Sequence, residues 1–326
     1  MESNIEDMSY IVTGGAGFVG SNMVKTLNRY GINDVIIVDN YDESKMPNLL
    51  DLQFTDYIDY SDGIDAVEAR LRAIPKIEGI FHIGADADVL DYNPKHMMML
   101  NYEFSKMYCQ VASDNKVPFV YASSSAIYGN SKNQDAASES VLPHNIYAWS
   151  KWLFDKYVIA NMNTFGGRVM GYRFFNVFGW GEFHKGKNAN IVYRFYRFLK
   201  DENKIPLFKG DIVRDHVYAE DVTEVLYQAM TKKSVKSGIY NLGGNNPISH
   251  LQIAGLVVET LMNNGVVPTI SDPNEYIERI EMPEDLKAKF QFYTHSENQE
   301  EWISDITKGN YMKMRAYIEN LIKYNK

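Results

Sequence analysis

The readable pattern begins at Tyr10-Ile11-Val12-Thr13, an apolar run that ends in glycines and passes into a segment, from about 17 to 30, with apolar residues at helical spacing. Apolar runs recur at Val35-Ile36-Ile37-Val38, Gly79-Ile80-Phe81-His82-Ile83, Phe119-Val120-Tyr121-Ala122 and Val169-Met170-Gly171-Tyr172, with amphipathic segments between them. Strands alternating with helices in this way predict an α/β fold on a doubly wound parallel sheet. Past about Gly179 the alternation breaks. Helices are expected from Ile191 to Lys200, from an N-cap at Asp221 to Met230, from Ile248 to Leu261 and from Tyr311 to Tyr324, with short strands at Pro206-Leu207-Phe208 and from Gly238 to Gly243. This divides the chain into a regular part, 1–178, to which about 210–245 is expected to return, and a smaller α/β lobe over most of 179–326.

The first turn carries a chemical pattern. Gly15, Gly17 and Gly20 have G-x-G-x-x-G spacing, and Gly14, Gly17 and Gly20 fit G-x-x-G-x-x-G. Glycine is needed where a side chain would block the tight turn, the approach of backbone amides to a pyrophosphate, or the packing of helix on strand. The helix that follows, starting near Phe18 and Val19, offers free amides and a positive dipole end. Asp39 ends the second apolar run about 20 residues on, where a ribose-binding acid is expected. These features predict a Rossmann-type dinucleotide-binding domain. Asp39 favours NAD by accepting from both ribose hydroxyls, whereas Lys45, in the polar loop that begins Asp39-Asn40, would suit the 2′-phosphate of NADP. These residues alone leave the choice open.

Three further segments fall at the same sheet edge. The small residues of Gly84-Ala85-Asp86-Ala87-Asp88 would let a cofactor pass, while Asp86 and Asp88 would equally serve as helix caps. Ser123-Ser124-Ser125 ends a strand and presents hydroxyls. Tyr147 and Lys151, four apart on a helix, share a face. A phenol ordinarily titrates near about 10; a neighbouring ammonium and a positive nicotinamide ring would lower that value, as a proton-transfer residue requires. A loop at 179–187 is placed to cap the cofactor. Arg214 is a candidate for holding a diphosphate bidentately, or for an internal ion pair.

Composition narrows the partners. A net charge of -9 without a basic face argues against nucleic acid, and no run approaches the ~18 apolar residues of a membrane span. The acidic N-terminus, Met1 to Asp7, resembles neither a signal nor a transit sequence, so the cytoplasm is the expected location. Cys109 is the only cysteine and the seven histidines lack ligand spacing, so neither an intrachain disulfide nor a metal site is expected.

Together the motifs resemble the extended short-chain dehydrogenase/reductases, the family of nucleotide-sugar epimerases and dehydratases. The marks are the glycine turn, Asp39-Asn40, Met97-Met98, Asn101-Tyr102, Ser105-Lys106, Tyr147 with Lys151, Arg173-Phe174-Phe175-Asn176-Val177, His184-Lys185-Gly186, and Leu286-Lys287 before Gln291 and Thr294. His184-Lys185-Gly186 is similar to the branch that inverts C6 of an ADP-linked heptose, whose product is a lipopolysaccharide core precursor. The resemblance implies no net redox change: a bound cofactor takes hydride from C6, the resulting carbonyl group turns, and the hydride returns to its other face. It assigns proton transfer to Tyr147 and Lys185, a hydroxyl donor to Ser124, and positioning of the nicotinamide ribose to Lys151. Gly84, Ala85, Asn101 and Val177 join the implied cofactor contacts. Asn176, Lys187, Arg194, Phe208, Arg214 and Phe290 are the implied substrate contacts.

The resemblance also implies NADP, through Lys45, and a homo-oligomer. This chain departs from the family pattern at Tyr60, where a second lysine is usual, at Asp86-Ala87-Asp88, and at Lys187, Arg194 and Phe290, where serine, histidine and tyrosine are usual. The particular sugar therefore stays open, with a UDP- or GDP-hexose 4-epimerase and a non-catalytic NAD(P)-sensing scaffold as competing readings. A dehydratase would need an Asp-Glu pair where Ser125-Ala126 stand.

Overall fold

The computed structural model describes residues 9–87, 93–137, 141–287 and 290–326. Asp88 and the N-terminal segment Met1 to Asp7 lie outside them. Seven strands form the main sheet: β1 (Ser9–Thr13), β2 (Val35–Asp39), β3 (Asp56–Asp59), β4 (Ile77–His82), β5 (Phe119–Ser124), β6 (Val169–Phe174) and, much later in the chain, β10 (Gly238–Leu242). Their order is β10-β6-β5-β4-β1-β2-β3, every pair parallel. Side chains alternate between faces. Val12, Val35 and Ile37 point into one buried cluster, while Ile11, Ile36 and Val38 point into another. The first cluster is closed by α1 (Phe18–Arg29) and α7 (Ala219–Thr231), the second by α2 (Ile64–Arg72), α4 (Phe104–Asp114) and α5 (Ile146–Asn161). Burial on both faces is why these strands read as continuous apolar runs. β3 does not, because it is an edge strand and Asp56 is exposed.

The strand order reverses between β1 and β4, and the crevice beyond their carboxyl ends is the place where such sheets bind ligands. The short helix α3 (Pro94–Met98) and a π-turn at Met99–Glu103 lead into α4. The remaining elements are β7 (Asn176–Phe178), α6 (Ile191–Glu202), β8 (Ile205–Phe208), β9 (Val213–Tyr218), β11 (Pro247–Ser249), α8 (His250–Asn263), β12 (Ile277–Ile280), α9 (Glu284–Lys287), α10 (Glu301–Thr307) and α11 (Asn310–Lys323). They give a β11-β9-β7 sheet and a β12-β8 pair. Val192, Phe195 and Leu199 of α6, Ile253, Leu256 and Val257 of α8, and Met314, Tyr317 and Leu321 of α11 fill a third core.

Among the boundaries that differ from expectation, two change the part a residue plays. Asp221 is not the N-cap of α7: Tyr218 holds that position, and Asp221 lies in the first turn, paired with Lys313 at 2.5 Å. Ile248 belongs to β11, and α8 starts at His250 behind Ser249, whose hydroxyl and Gln252 form a reciprocal capping box.

A buried charge pair ties α5 to the sheet. Arg173 Nε donates to Asp155 Oδ2 at 3.0 Å, the Tyr121 hydroxyl donates to Asp155 Oδ1 at 2.9 Å, and Arg173 Nη1 donates to the Tyr128 hydroxyl at 2.9 Å. Removing one member leaves the other charge buried without a partner. Asp155→Ala is expected to cost about 3–5 kcal/mol in denaturant unfolding, whereas Asp56→Ala, which breaks the exposed pair with Arg70, should cost under about 1 kcal/mol.

Candidate active site

The turn between β1 and α1 is built by exclusion. Gly14 has φ +68°, and a Cβ there would lie 2.6 Å from Gly84 Cα; a Cβ on Gly20 would lie 1.9 Å from Gly14 O. The turn after β1, the start of α1 and the turn after β4 therefore touch through backbone. Gly17 precedes α1 without a side-chain cap, and no acid occupies the first turn, so the amides of Phe18 and Val19 face the crevice as unneutralised donors. A cavity of about 350 Å³ opens there, lined by Gly14, Gly17, Phe18, Val19, Gly20, Asp39, Lys45, Gly84, Ala85, Ser124, Tyr147, Lys151, Val177 and Lys185.

The turn after β4 is fixed by a histidine that the sequence reading assigned no role. The Ser105 hydroxyl donates to Asn101 O at 2.8 Å, so it accepts from His82 Nε2 at 2.7 Å; His82 Nδ1 then accepts from the Thr13 hydroxyl at 2.7 Å, which itself accepts from Gly84 N at 3.1 Å. Burial, with the Lys151 ammonium nearby, holds His82 well below its ordinary range and thus neutral. Asn101 is not in the cavity wall. It is fully buried, accepts from Asp86 N at 2.9 Å and donates to Asp86 O at 2.8 Å and Ser150 Oγ at 3.1 Å, so it pins the 84–87 segment to α5. Asp86 itself lines the cavity, and the N-cap of α3 is Asn93.

At the far end, Asp39 is buried and its carboxylate accepts from Ala16 N, Asn40 N and Lys45 Nζ at 3.0, 2.9 and 3.0 Å. Asn40 lies just outside the wall, where its Oδ1 accepts from Lys45 at 2.6 Å. The lysine is thereby held over the carboxylate.

Ser124, Tyr147 and Lys151 meet at the other end. The Ser124 hydroxyl accepts from Ala126 N at 3.1 Å and lies near the Tyr147 phenol. Ser123 Oγ, buried in the same wall, has no partner among the described residues. Lys151 Nζ donates to Ala122 O at 2.8 Å, and burial brings its ammonium down to about 8. Burial, rather than Lys151, sets the direction of the Tyr147 shift. Burial pushes the phenol above its ordinary value, the nearby Ser124 hydroxyl offsets part of this, and the Asp86 carboxylate adds to it. One of the three Lys151 N–H donors is engaged by Ala122 O.

A second cavity, of about 420 Å³, shares Val177 and Lys185 with the first and is lined by Asn176, Arg194, Phe208, Arg214, His216, His250 and Phe290. Arg214 forms no internal ion pair among the described residues. It donates to Gln291 O at 3.0 Å and Asn176 Oδ1 at 3.3 Å and lies over Phe290 at 4.5 Å. Burial lowers it to about 10 and also lowers Arg194. His216 and His250, buried beside these guanidinium groups, are held neutral, at about 3 and about 2. Lys187 is exposed and lines neither cavity.

A glycine-cradled dinucleotide groove that ends at a serine, tyrosine and lysine defines a short-chain dehydrogenase/reductase-type protein. Comparison with known proteins makes this specific. The model of the NAD dependent epimerase/dehydratase family matches residues 10–243. The chain is 37% identical over 296 residues to an ADP-L-glycero-D-manno-heptose-6-epimerase of Brachyspira hyodysenteriae, and 35% identical over 295 residues to that of Alkalilimnicola ehrlichii, covering 88% of both chains in each case. The crystal structure of the Helicobacter pylori ADP-L-glycero-D-manno-heptose-6-epimerase superposes with a TM-score of 0.80 at 26% identity, over 99% of this chain and 98% of the other. This chain belongs to the NAD dependent epimerase/dehydratase family.

The residues present fit a nicotinamide dinucleotide: backbone amides for the pyrophosphate, Asp39 with Lys45 for the adenosine ribose, and Ser123 Oγ as a buried hydroxyl still to be partnered. Gly20→Val would drive α1 off the turn. The expected result is protein purified with about a tenth or less of the wild-type nucleotide, since overpacking costs on the order of 1–3 kcal/mol and about 1.4 kcal/mol is tenfold in binding; release by denaturation and chromatography measures it.

Proposed function

We propose that this protein epimerises a nucleotide-activated sugar, interconverting ADP-D-glycero-D-manno-heptose and ADP-L-glycero-D-manno-heptose at C6, with NADP as the bound cofactor. The observation that carries the reading is the place of Lys185. It comes from a 3₁₀ turn (Phe183–Asn188), unrelated to the α5 helix that supplies Tyr147, and lines both cavities. The heptose relatives support the substrate.

Bound oxidised nicotinamide would accept a hydride from C6 and, once reduced, return it. C6 carries both C5 and C7, so its oxidation gives a ketone, and rotation about C5–C6 presents the other face while moving the oxygen. Two proton carriers are then needed. Burial favours the neutral form of each: Tyr147 rests as a phenol and Lys185, pushed down by burial, gives up its proton more readily. In one direction the Lys185 amine takes the hydroxyl proton and the Tyr147 phenol returns one to the ketone oxygen; the reverse direction exchanges the roles. Ser124 donates to the same oxygen, and Lys151 fixes the nicotinamide end through Ala122. Arg194 and Arg214, with no carboxylate paired to either among the described residues, suit the diphosphate, and Asn176, Phe208 and Phe290 would complete that wall.

NADP is favoured by Lys45. Asp39 is already engaged by three donors, leaving it less able to accept from ribose hydroxyls, while the adjacent ammonium would meet a 2′-phosphate. Lys45→Ala should weaken NADP binding roughly tenfold, the scale of one charge-assisted contact, with NAD binding little changed; titration of the stripped protein with each nucleotide tests it.

Incubation with either heptose epimer, followed by NMR, is expected to give the same mixture from both sides. Turnover of UDP- or GDP-hexoses with no heptose interconversion would refute the substrate. Tyr147→Phe and Lys185→Met are each expected to slow epimerisation by roughly 10²-fold or more, the scale of one lost general acid or base.

A further inference from the structure

Glu182 stands at the entrance to the turn that carries Lys185, and the scheme above gives it no part. Its side chain is fully buried, and no ion pair joins it among the described residues. Oε1 accepts from Gly179 N at 3.2 Å and from the Tyr317 hydroxyl at 3.0 Å; Oε2 accepts from Asn190 N at 2.5 Å. Gly179 and Asn190 are the two ends of the segment that carries Lys185. One carboxylate therefore closes the loop from both sides, Tyr317 ties it to α11, and the Glu182 carbonyl accepts from Lys185 N at 3.0 Å. Asn190 extends the brace by donating to Val177 O at 2.9 Å.

Neutral groups can close a loop, and burying a carboxylate is costly, so the charge itself needs a use. The charged and titratable groups around it are Lys185 on the same turn and Tyr317 of α11, with Tyr193 of α6 and Tyr218 of β9 beyond the tyrosine. Burial raises Glu182 to about 7, its three donors and the Lys185 ammonium pulling the other way; the carboxylate in turn opposes the effect of burial on Lys185. Lys185 Nζ rests 5.6 Å from the centre of the Phe18 ring, at the cofactor groove.

Resting on the reading of Lys185 as second proton carrier, we infer that Glu182 is its positioning residue: the buried carboxylate shapes the turn that holds the ammonium between the two cavities and supplies the negative charge that faces it.

The test uses the full-length, cofactor-loaded protein and ADP-heptose, comparing wild type with Glu182→Gln, Tyr317→Phe, Lys185→Met and the Glu182→Gln/Lys185→Met double variant. Glutamine keeps the size but turns an amide NH₂ toward converging donors. Glu182→Gln should lower kcat roughly 10- to 100-fold, the scale of a small misplacement of a reacting group, with KM and bound nucleotide little changed. The limb of the pH–kcat profile that Lys185→Met abolishes should move to lower pH, since the ammonium loses its counter-charge. Tyr317→Phe should move it the same way by less, and the double variant should be no slower than Lys185→Met. A wild-type kcat and pH profile in Glu182→Gln, or a full further loss in the double variant, overturns the inference. If Glu182→Gln does not fold, an unshifted profile in Tyr317→Phe overturns it. Full activity of Lys185→Met would instead overturn the reading of Lys185, so the two failures are distinct.

Discussion

The site depends on the contact between two turns. The backbone after β1 and the backbone after β4 meet at Gly14 and Gly84, so closely that a single Cβ on Gly14 would lie 2.6 Å from its neighbour. That approach is possible because the strand order reverses between β1 and β4, opening a crevice at their carboxyl ends. It is locked by the buried relay from Thr13 through His82 to Ser105. The same crevice receives the tip of β5 and the start of α5, which bring Ser124 and Tyr147, and the turn after β7, which brings Lys185.

The apolar runs that predicted β1, β2, β4, β5 and β6 were legible because each is buried on both faces, and the glycine spacing was legible because backbone contact leaves no other residue possible. β3 was missed because an edge strand mixes exposed and buried positions. The β7-β9-β11 and β8-β12 pairings were missed because strands of three to six residues carry little periodicity. At the site, Ser124, Tyr147, Lys151 and Lys185 were found through motif spacing and family resemblance. His82, Glu182 and His216 were not, since a buried polar residue earns its place through partners far along the chain: Thr13 lies 69 residues from His82, and Tyr317 lies 135 from Glu182. Asn101 was assigned to the cofactor, but its hydrogen bonds go to the segment that the cofactor would touch. Lys187 was assigned to substrate by resemblance to the family, although its side chain is exposed.

Charge is arranged against the balance of the whole. A chain of net charge -9 places Lys185, Arg194 and Arg214 around a cavity that no Asp or Glu lines among the described residues. Two neutral imidazoles, His216 and His250, complete that wall without adding charge. Burial makes each cation costly, and an anionic ligand would offset the cost. Arg214 reaches Gln291 O, while the Gln291 amide donates to Ser125 O at 3.1 Å and Gly129 O at 2.8 Å. The Arg214 end and the serine end of the site are thereby joined through one residue.

The central claim is that hydride leaves C6 and returns to the same carbon without meeting solvent. Epimerisation of ADP-heptose deuterated at C6 tests it most directly. The account predicts that the product keeps its deuterium in ordinary water and that unlabelled substrate gains none in heavy water. Loss of label to solvent on the timescale of turnover would contradict it, because the carbon would then exchange a proton in place of a hydride.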